Sequence, residues 1–510
     1  MSTAATPAPG EEWRKLDKRT LLVTAAVMTG VATGAGVPTT IGLSGGMGVG
    51  RALAWVLPPA LLLIVCGTGA DYIRWRRTRY RIGPDRAELH TGLLLVKRRS
   101  LGRERIRTVD LTANLLLRIL GLVKVRIGTG EHTGGESTLE LDPVTRAEGE
   151  RLRTELLGRA SAASAAHPDG MLAVLDPRWI GYAPLSFLSP LLGGAAAGGV
   201  MQVSDWFGVQ NEVIDWIGDQ FRDTSVLMIV LLLAAAALLA GIVGSLGLWV
   251  EMWWNYRLER EPGGTLRVRR GLFTSRSVSI EERRLRGVEL VEPLGVRLVG
   301  AARVDAVATG IADGDEDKHT DLKTLLPAAP KAAADEVAAQ VLREPVSPTS
   351  TAGASGTSAL VPHPLAARGR RLRWAVGSAL VPVLILLLLG LLLASDVLLS
   401  VAAGCAVVLV PCAVALALDA YRALGHRLSG DYLVARSGTV RRSTVALQRG
   451  GVIGWTVKQS YFQRRVGLVT VTATTAAGDG AYHVRDVGEG EGLGFAAEAV
   501  PGLLEPFLER

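Results

Sequence analysis

Arg118-Ile119-Leu120-Gly121-Leu122-Val123-Lys124-Val125-Arg126-Ile127 returns twice, altered, in the same chain. The second copy runs from Arg297 through Gly300, Ala302 and Val304 to Ala306, the third from Arg464 through Gly467, Val469 and Val471 to Ala473. Each places an arginine three residues ahead of a glycine, and apolar residues then alternate (Val123, Val125, Ile127 in the first copy). Period-two alternation marks a half-buried strand. Counting back, the arginines lie 26 residues and the glycines 29 residues beyond Gly92, Gly271 and Gly438, which read as strand turns. Upstream of those turns stand Tyr80-Arg81-Ile82, Tyr256-Arg257-Leu258 and His426-Arg427-Leu428. Two spacings held without a gap in three copies define an internal repeat.

A pair of hydrophobic runs precedes each copy: Leu21–Leu43 and Ala52–Ala70, Ile180–Met201 and Val226–Val250, Leu372–Ala394 and Val397–Leu418. A membrane-spanning helix needs about 20 mostly apolar residues, and these six runs reach that length without a polar stripe at helical spacing. The composition agrees: 48% of the 510 residues are hydrophobic but only 5% are aromatic, and the mean hydropathy is +0.28. The apolar content is therefore mostly Ala, Val, Leu and Gly, which suits helices packed closely in lipid. The first ~20 residues lack a signal-peptide cleavage pattern, so the first helix is expected to stay.

The net charge of +8 is distributed as an orientation signal. Arg74, Arg76, Arg77, Arg79 and Arg81 follow the second run, and Arg368, Arg370, Arg371 and Arg373 crowd the fifth. Such juxtamembrane placement marks a cytoplasmic side; nucleic-acid binding would ask for a basic face on a folded domain. Between the third and fourth runs, Asp205, Glu212, Asp215, Asp219 and Asp223 outweigh Arg222, so that loop is expected outside. Arg51, in the first outer loop, is an exception. Trp206, Phe207, Trp216 and Phe221 in the acidic loop fit either an interfacial helix or a solvated connector with anchoring rings.

The expected organisation is a tail (1–20), a first hairpin (21–73) and its domain (74–158), then a linker (159–179). A second hairpin (180–252) and domain (253–343) follow, then a flexible linker (344–371), a third hairpin (372–421) and a last domain (422–510). Each domain is β-rich first and helical last, with closing helices at Arg146–Leu157, Ala332–Leu342 and Phe495–Leu508; Pro501 and Pro506 shorten or kink the last.

Strands followed by one helix, in about 80–90 residues, resemble the bacterial pleckstrin-homology-like (PH) domain. The pairing with membrane hairpins, three times over, is similar to the family of bacterial PH-domain membrane proteins. The residues that carry the resemblance are Tyr80-Arg81-Ile82, Gly92, Ile106-Arg107-x-Val109 and Arg118 to Leu122, with Leu285-Arg286-Gly287-Val288, Arg297 to Gly300, and Arg464 to Leu468. The resemblance implies an α+β membrane protein. Its six transmembrane helices would form three hairpins, each followed by a PH-like barrel or sandwich with a C-terminal helix. It also implies a role in tolerating membrane-active antimicrobial peptides.

Catalytic and metal motifs fail on their context. Gly42-Leu43-Ser44-Gly45-Gly46 fits a nucleophile elbow in letters only, since it falls at a hairpin turn without a preceding strand. Asp313, Asp315 and Asp317 open like a calcium loop, but Lys318 and Thr324 stand where glycine and glutamate belong. Gly488, Gly490, Gly492 and Gly494 alternate with Glu489 and Glu491, which would repel phosphate, and read as a loop into the last helix. Cys66, Cys405 and Cys412 sit inside hydrophobic runs, and the seven histidines are scattered. No enzyme, cofactor or metal is expected, and a transporter is disfavoured by runs without central charges.

The candidate binding residues are the repeated Arg118, Arg297 and Arg464, and the basic surfaces Lys97, Arg98, Arg99 and Arg103, and Arg267, Arg269 and Arg270. The repeated arginines would either face anionic lipid or pair with a carboxylate and fix the fold, the second reading being preferred. The expected role is a cell-envelope scaffold or sensor, on the lipid bilayer, for a membrane or cytoplasmic protein partner. An anionic-lipid module is the alternative.

Overall fold

The computed structural model describes residues 13–92, 97–106, 108–128, 138–157, 170–186, 188–220, 224–309, 323–350 and 359–504. It is an α+β chain in two compact units, Met1–Glu281 and Glu282–Arg510. The division falls inside 253–343, the stretch expected as the second domain.

Among the described residues, five helices are long and apolar enough to cross a membrane: Thr20–Met47, Val49–Arg77, Val226–Trp253, Leu365–Leu392 and Asp396–Arg422. The third expected run is instead broken. Pro177–Leu185 is a 3-10 segment bent by 70° against the helix Leu188–Trp206. Pro177 and Pro184 supply the physical reason, because proline removes a backbone donor. Leu188–Trp206 meets Val226–Trp253 backbone to backbone: a Cβ on Gly193 would lie 2.0 Å from the Ala237 carbonyl oxygen, and one on Gly241 only 1.9 Å from that of Ser189. Small residues permit such contact where no hydrophobic force drives helices together in lipid.

Unit 1 contains a four-stranded sheet in the order β1 (Arg14–Lys15), β2 (Arg79–Ile82), β3 (Arg86–Thr91), β4 (Lys97–Gly102). Strands β5 (Thr108–Ala113), β6 (Leu122–Gly128) and β7 (Thr138–Thr145) of the first repeat join β8 (Gly170–Val174), β9 (Arg257–Glu261), β10 (Thr265–Arg270) and β11 (Ser275–Glu281). Together they form one seven-stranded sheet ordered β7-β6-β5-β11-β10-β9-β8. The core sets Tyr80 and Leu89 of the first sheet against Val109, Val125, Ile127 and Leu141 of the second, closed by Leu152 and Leu156 of the Arg146–Leu157 helix. Burying each of these large side chains contributes about 1.5–3 kcal/mol.

Unit 2 repeats the design. Strands β12 (Leu285–Pro293), β13 (Ala301–Ala308) and β14 (Thr324–Pro330) join β15 (Gly425–Ser429), β16 (Tyr432–Ser437) and β17 (Arg441–Gln448) in the order β14-β13-β12-β17-β16-β15. A three-stranded sheet of β18 (Val452–Lys458), β19 (Leu468–Thr475) and β20 (Ala481–Gly488) follows. Leu433, Leu447, Val469, Val471, Val484 and Phe495 form its core.

Adjacent repeats are thus joined edge to edge. β5 pairs antiparallel with β11, with Ser275 opposite Ala113. β12 pairs with β17 from Gly287 opposite Leu447 to Pro293 opposite Arg441. Counted from Gly92, Gly271 and Gly438, the two joints share one register. The glycines permit the turns: Gly271 and Gly438 have φ of 112° and 101°, and Gly121, Gly300 and Gly467 have φ of 70°, 72° and 62° after their short helices. That is the left-handed conformation glycine takes most easily.

Several sequence readings change. Gly42–Gly46 is not an outer turn, because the first helix continues through it to Met47 and turns at Gly48. The last helix spans Glu489–Ala499, so the glycine-rich stretch read as a loop forms its first turns. Two causes act there. Glu489 and Glu491 favour a helix N-terminus, and a Cβ on Gly492 would come within 2.6 Å of Val487. The 344–371 linker is partly packed: Thr349 is fully buried and Arg427 donates to the carbonyls of Pro348 and Ser350. The third hairpin starts at Leu365, which places Arg368, Arg370, Arg371 and Arg373 in the helix itself. The acidic loop holds a helix at Gln210–Gln220, with Trp216 exposed. Asp313, Asp315, Asp317 and Lys318 lie outside the described residues, as do Arg107, Phe221, Arg222, Asp223, Pro506 and residues 159–169.

Candidate functional site

A cavity of about 690 Å³ in unit 2 opens where the third hairpin meets the last sheet. Arg370, Arg371 and Trp374 of the Leu365–Leu392 helix line one side; Lys458 of β18 and His483 and Arg485 of β20 line the other. Its anchor is Asp486, 2% exposed. Asp486 accepts from Arg370 at 2.6 Å, Arg371 at 3.1 Å and Gln463 at 2.9 Å.

The backbone explains that placement. Between Val471 opposite Val484 and Val469 opposite Val487, one residue of β19 faces two of β20, so Arg485 and Asp486 form a bulge. Asp486 has φ of 59°, which is rare for a residue with a side chain and costs about 1–3 kcal/mol. Bulges re-aim side chains, and this one turns Asp486 into the protein. Repeats one and two show shifts at the same place, opposite Lys124 and Arg303, but carry Asp142-Pro143 and Pro327-Ala328 there. Burial, followed by the charges of Arg485 and Lys458, holds the His483 imidazole below its ordinary pKa. At neutral pH it is an uncharged hydrogen-bonding group, 2.9 Å from the Thr472 hydroxyl.

Beside the cavity runs an apolar groove of about 470 Å³ along the same helix, lined by Trp374, Gly377, Val381 and Phe462. The Trp374 and Phe462 rings stand edge to face at 6.2 Å. Cavity and groove share Arg370, Trp374 and Ser378.

Unit 1 holds a second basic cavity, of about 380 Å³, at the β5–β11 joint. It brings together Arg118, Arg267, Arg269 and Arg270 from two repeats. Their duties differ. Arg118 is exposed and donates to the Leu272 carbonyl. Arg267 is 3% exposed and ion-paired to Glu150 and Glu261. Arg270 is buried with its guanidinium 4.3 Å above the Trp253 ring. Arg269 alone of the basic trio is exposed.

The other expected residues are dispersed. Arg297 donates to Asp419 at 2.8 Å and to the Thr439 carbonyl at 3.2 Å. Arg464 is exposed, and its side chain has no hydrogen-bond or ion-pair partner among the described residues. Arg103 is held by the carbonyls of Gly83 and Glu155. Lys97 and Arg98 are exposed on β4, and Arg99 is half-buried.

Sequence reasoning missed the unit 2 cavity. Arg370 and Arg371 were visible only as an orientation signal, and Arg485-Asp486 gives no signal before the bulge is known. It also took the histidines as scattered, whereas His363 Nε2 lies 3.1 Å from His426 Nδ1. Burial and then the His363 neighbour push His426 down to about 4. Among the described residues, no group of three or more His, Cys, Asp or Glu is placed to hold a metal ion.

Repeated sheets preceded by apolar hairpins define a membrane protein built from PH-like units. The profile described as "Bacterial PH domain" matches residues 39–160, 213–345 and 378–494, and the chain belongs to that family. It is similar to UPF0699 transmembrane protein YdbT of Bacillus subtilis (strain 168), with 24% identity over 280 residues, 52% of this chain and 56% of that protein. The chain thus spans about half the length of the relative it matches. No solved structure matches it.

Proposed function

We propose that the protein is a non-catalytic membrane sensor that binds the headgroup of an anionic phospholipid in the unit 2 cavity. One observation carries this reading: a cationic cavity and an apolar groove share Arg370, Trp374 and Ser378 on a single apolar helix. A phospholipid presents the same order, a charged head followed by acyl chains. Arg370 and Arg371 are engaged by Asp486, which leaves Lys458 and Arg485 as the exposed cations. Membrane-active antimicrobial peptides seek the same headgroups, so such a sensor would respond to them. A scaffold for a protein partner is the second reading, favoured by a strand edge described below.

The test uses the full-length protein in detergent, with phosphatidylglycerol and phosphatidylcholine as competing probes and bound lipid read by native mass spectrometry. Phosphatidylglycerol is expected to be preferred. Two lost cations are worth about 2 kcal/mol, so Lys458→Gln with Arg485→Gln is expected to weaken its retention roughly thirtyfold. Equal retention of both lipids, or an unaffected double variant, would sink the proposal.

In the membrane, the reading has six crossings, with Leu188–Trp206 as the third and the sheets and termini on the cytoplasmic side. At about 1.5 Å per residue its 19 residues reach ~28 Å, close to the hydrocarbon thickness. Asp205, Glu212, Asp215 and Asp219 at its far end oppose the arginines that start the fifth crossing. In intact cells, Asn211→Cys is expected to react with an impermeant maleimide and Asp431→Cys to stay unlabelled; both positions are exposed. The opposite pattern would invert the topology.

A further inference from the structure

We propose that copies of this chain join head to tail through a strand joint that the chain already uses twice within itself. The outer edge of β18 in one copy pairs antiparallel with the outer edge of β4 in the next, each being the last described strand of its sheet.

Inside the chain, the first strand of each repeat's second sheet docks on the third strand of the next repeat: β5 on β11, and β12 on β17. An arginine accompanies each joint. Arg118 donates to the carbonyl of Leu272, which follows Gly271; Arg297 donates to that of Thr439, which follows Gly438. Both joints therefore use the same donor and the same acceptor position.

The third repeat has the parts of this joint, and among the described residues no strand stands beside β18 where β11 and β17 stand beside β5 and β12. β18 occupies the place of β5 and β12, yet among the described residues it pairs only with β19 along one edge. The side chain of Arg464, the counterpart of Arg118 and Arg297, makes no hydrogen bond or ion pair among the described residues. Natural edge strands are usually guarded by proline, charge or a bulge that turns the edge away. β18 has no proline, exposes Ile453 and Val457, and carries one charge, Lys458, at its end; its register shift lies at the other end, between Val452 and Gly454, where the joined strand β12 has one between Leu285 and Gly287. In the first repeat, β4 occupies the place of β11 and β17 and, among the described strands, pairs with β3 alone.

Continuing the internal register sets Thr456 opposite Arg99 and Lys458 opposite Lys97. This is the rule that sets Glu292 opposite Arg442 and Ala113 opposite Ser275. The facing lysines make the contact self-repelling at low salt, since like charges directly across a strand pair destabilise it. Screening by salt should tighten it. A joint of this kind is heterologous, and assemblies built on it grow as rings or filaments.

The test co-expresses two differently tagged full-length chains, one with Thr456→Cys and one with Arg99→Cys, and oxidises the membranes. Directly opposite residues place their Cβ atoms about 4.5–5.5 Å apart, so a mixed disulfide dimer is expected, with a higher yield as salt is raised. Arg98→Cys, one residue out of register, should give little. Arg464→Ala should lower the yield, and Val457→Pro should abolish it by removing an edge donor. If the proline chain does not fold, the out-of-register control still decides. A Thr456→Cys chain that cross-links to itself would show a two-fold contact and overturn the head-to-tail joint. Absence of any cross-link would show that β18 does not receive a second copy.

Discussion

Asp110→Asn is expected to stabilise the protein by about 4 kcal/mol at about pH 8 and to change it little near pH 4. Asp110 lies on β5, between β6 and β11, and is buried with its Oδ1 unpaired. Burial pushes its carboxyl from 3.8 up to about 7, against the opposing pull of Arg126. A carboxyl raised on folding keeps its proton longer in the native state, so the native state binds more protons between about pH 4 and pH 7. Stability therefore falls as pH rises through that window, and the full cost is present above it. The distance from 3.8 to about 7 gives the 4 kcal/mol at about 1.4 kcal/mol per pH unit. Asparagine keeps the shape and cannot ionise, so the variant should lose this slope. Denaturant midpoints of the full chain in detergent at the two pH values measure it. Equal midpoints for parent and variant at about pH 8 would show that Asp110 is solvated or paired in solution.

The repeat was legible because its constraints are local. Gly271 and Gly438 must turn with positive φ, and Val469, Val471 and Ala473 must alternate toward a core, so spacing alone located them. The strand joints were not legible. β5 and β11 are about 160 residues apart, and edge pairing is made by backbone groups that every residue carries. Without the joint, the repeated arginines had no visible acceptor: Arg118 and Arg297 reach carbonyls in the following repeat. The unit 2 cavity depends on one bulge, which shifts the period-two register at Arg485 and Asp486 and hides their direction from a pattern reading. The third hydrophobic run looked continuous because hydropathy counts proline composition but not its geometry.

Arg267→Met is expected to cost about 3 kcal/mol of stability while Arg269→Gln costs less than about 0.5 kcal/mol. Both arginines stand on β10, two residues apart and so on one face of the strand, and the sequence offers no reason to separate them. The structure does. Arg267 donates to Glu150 at 2.7 Å, Glu261 at 3.0 Å and the Ser277 hydroxyl at 2.8 Å. Arg153, on the closing helix of the first repeat, reaches the same two carboxylates at 3.1 and 2.6 Å. Burial pushes both glutamates up, but the hydrogen bonds and charges of the two arginines outweigh it and hold them below the ordinary carboxylate range. Removing one cation leaves two partly buried carboxylates sharing the other. Breaking a buried pair this way costs about 3–5 kcal/mol, and the lower end applies because the Glu150 side chain is 36% exposed. Arg269 is exposed and makes no hydrogen bond or ion pair to a carboxylate among the described residues, feeling Glu259, Glu150 and Glu261 only through their charge. The network ties the Arg146–Leu157 helix of the first repeat to β9 and β10 of the second, so the variant should weaken the joint between repeats. Thermal unfolding of the two variants beside the parent chain separates the readings. Equal small losses would return Arg267 to the exposed basic surface that the sequence implied.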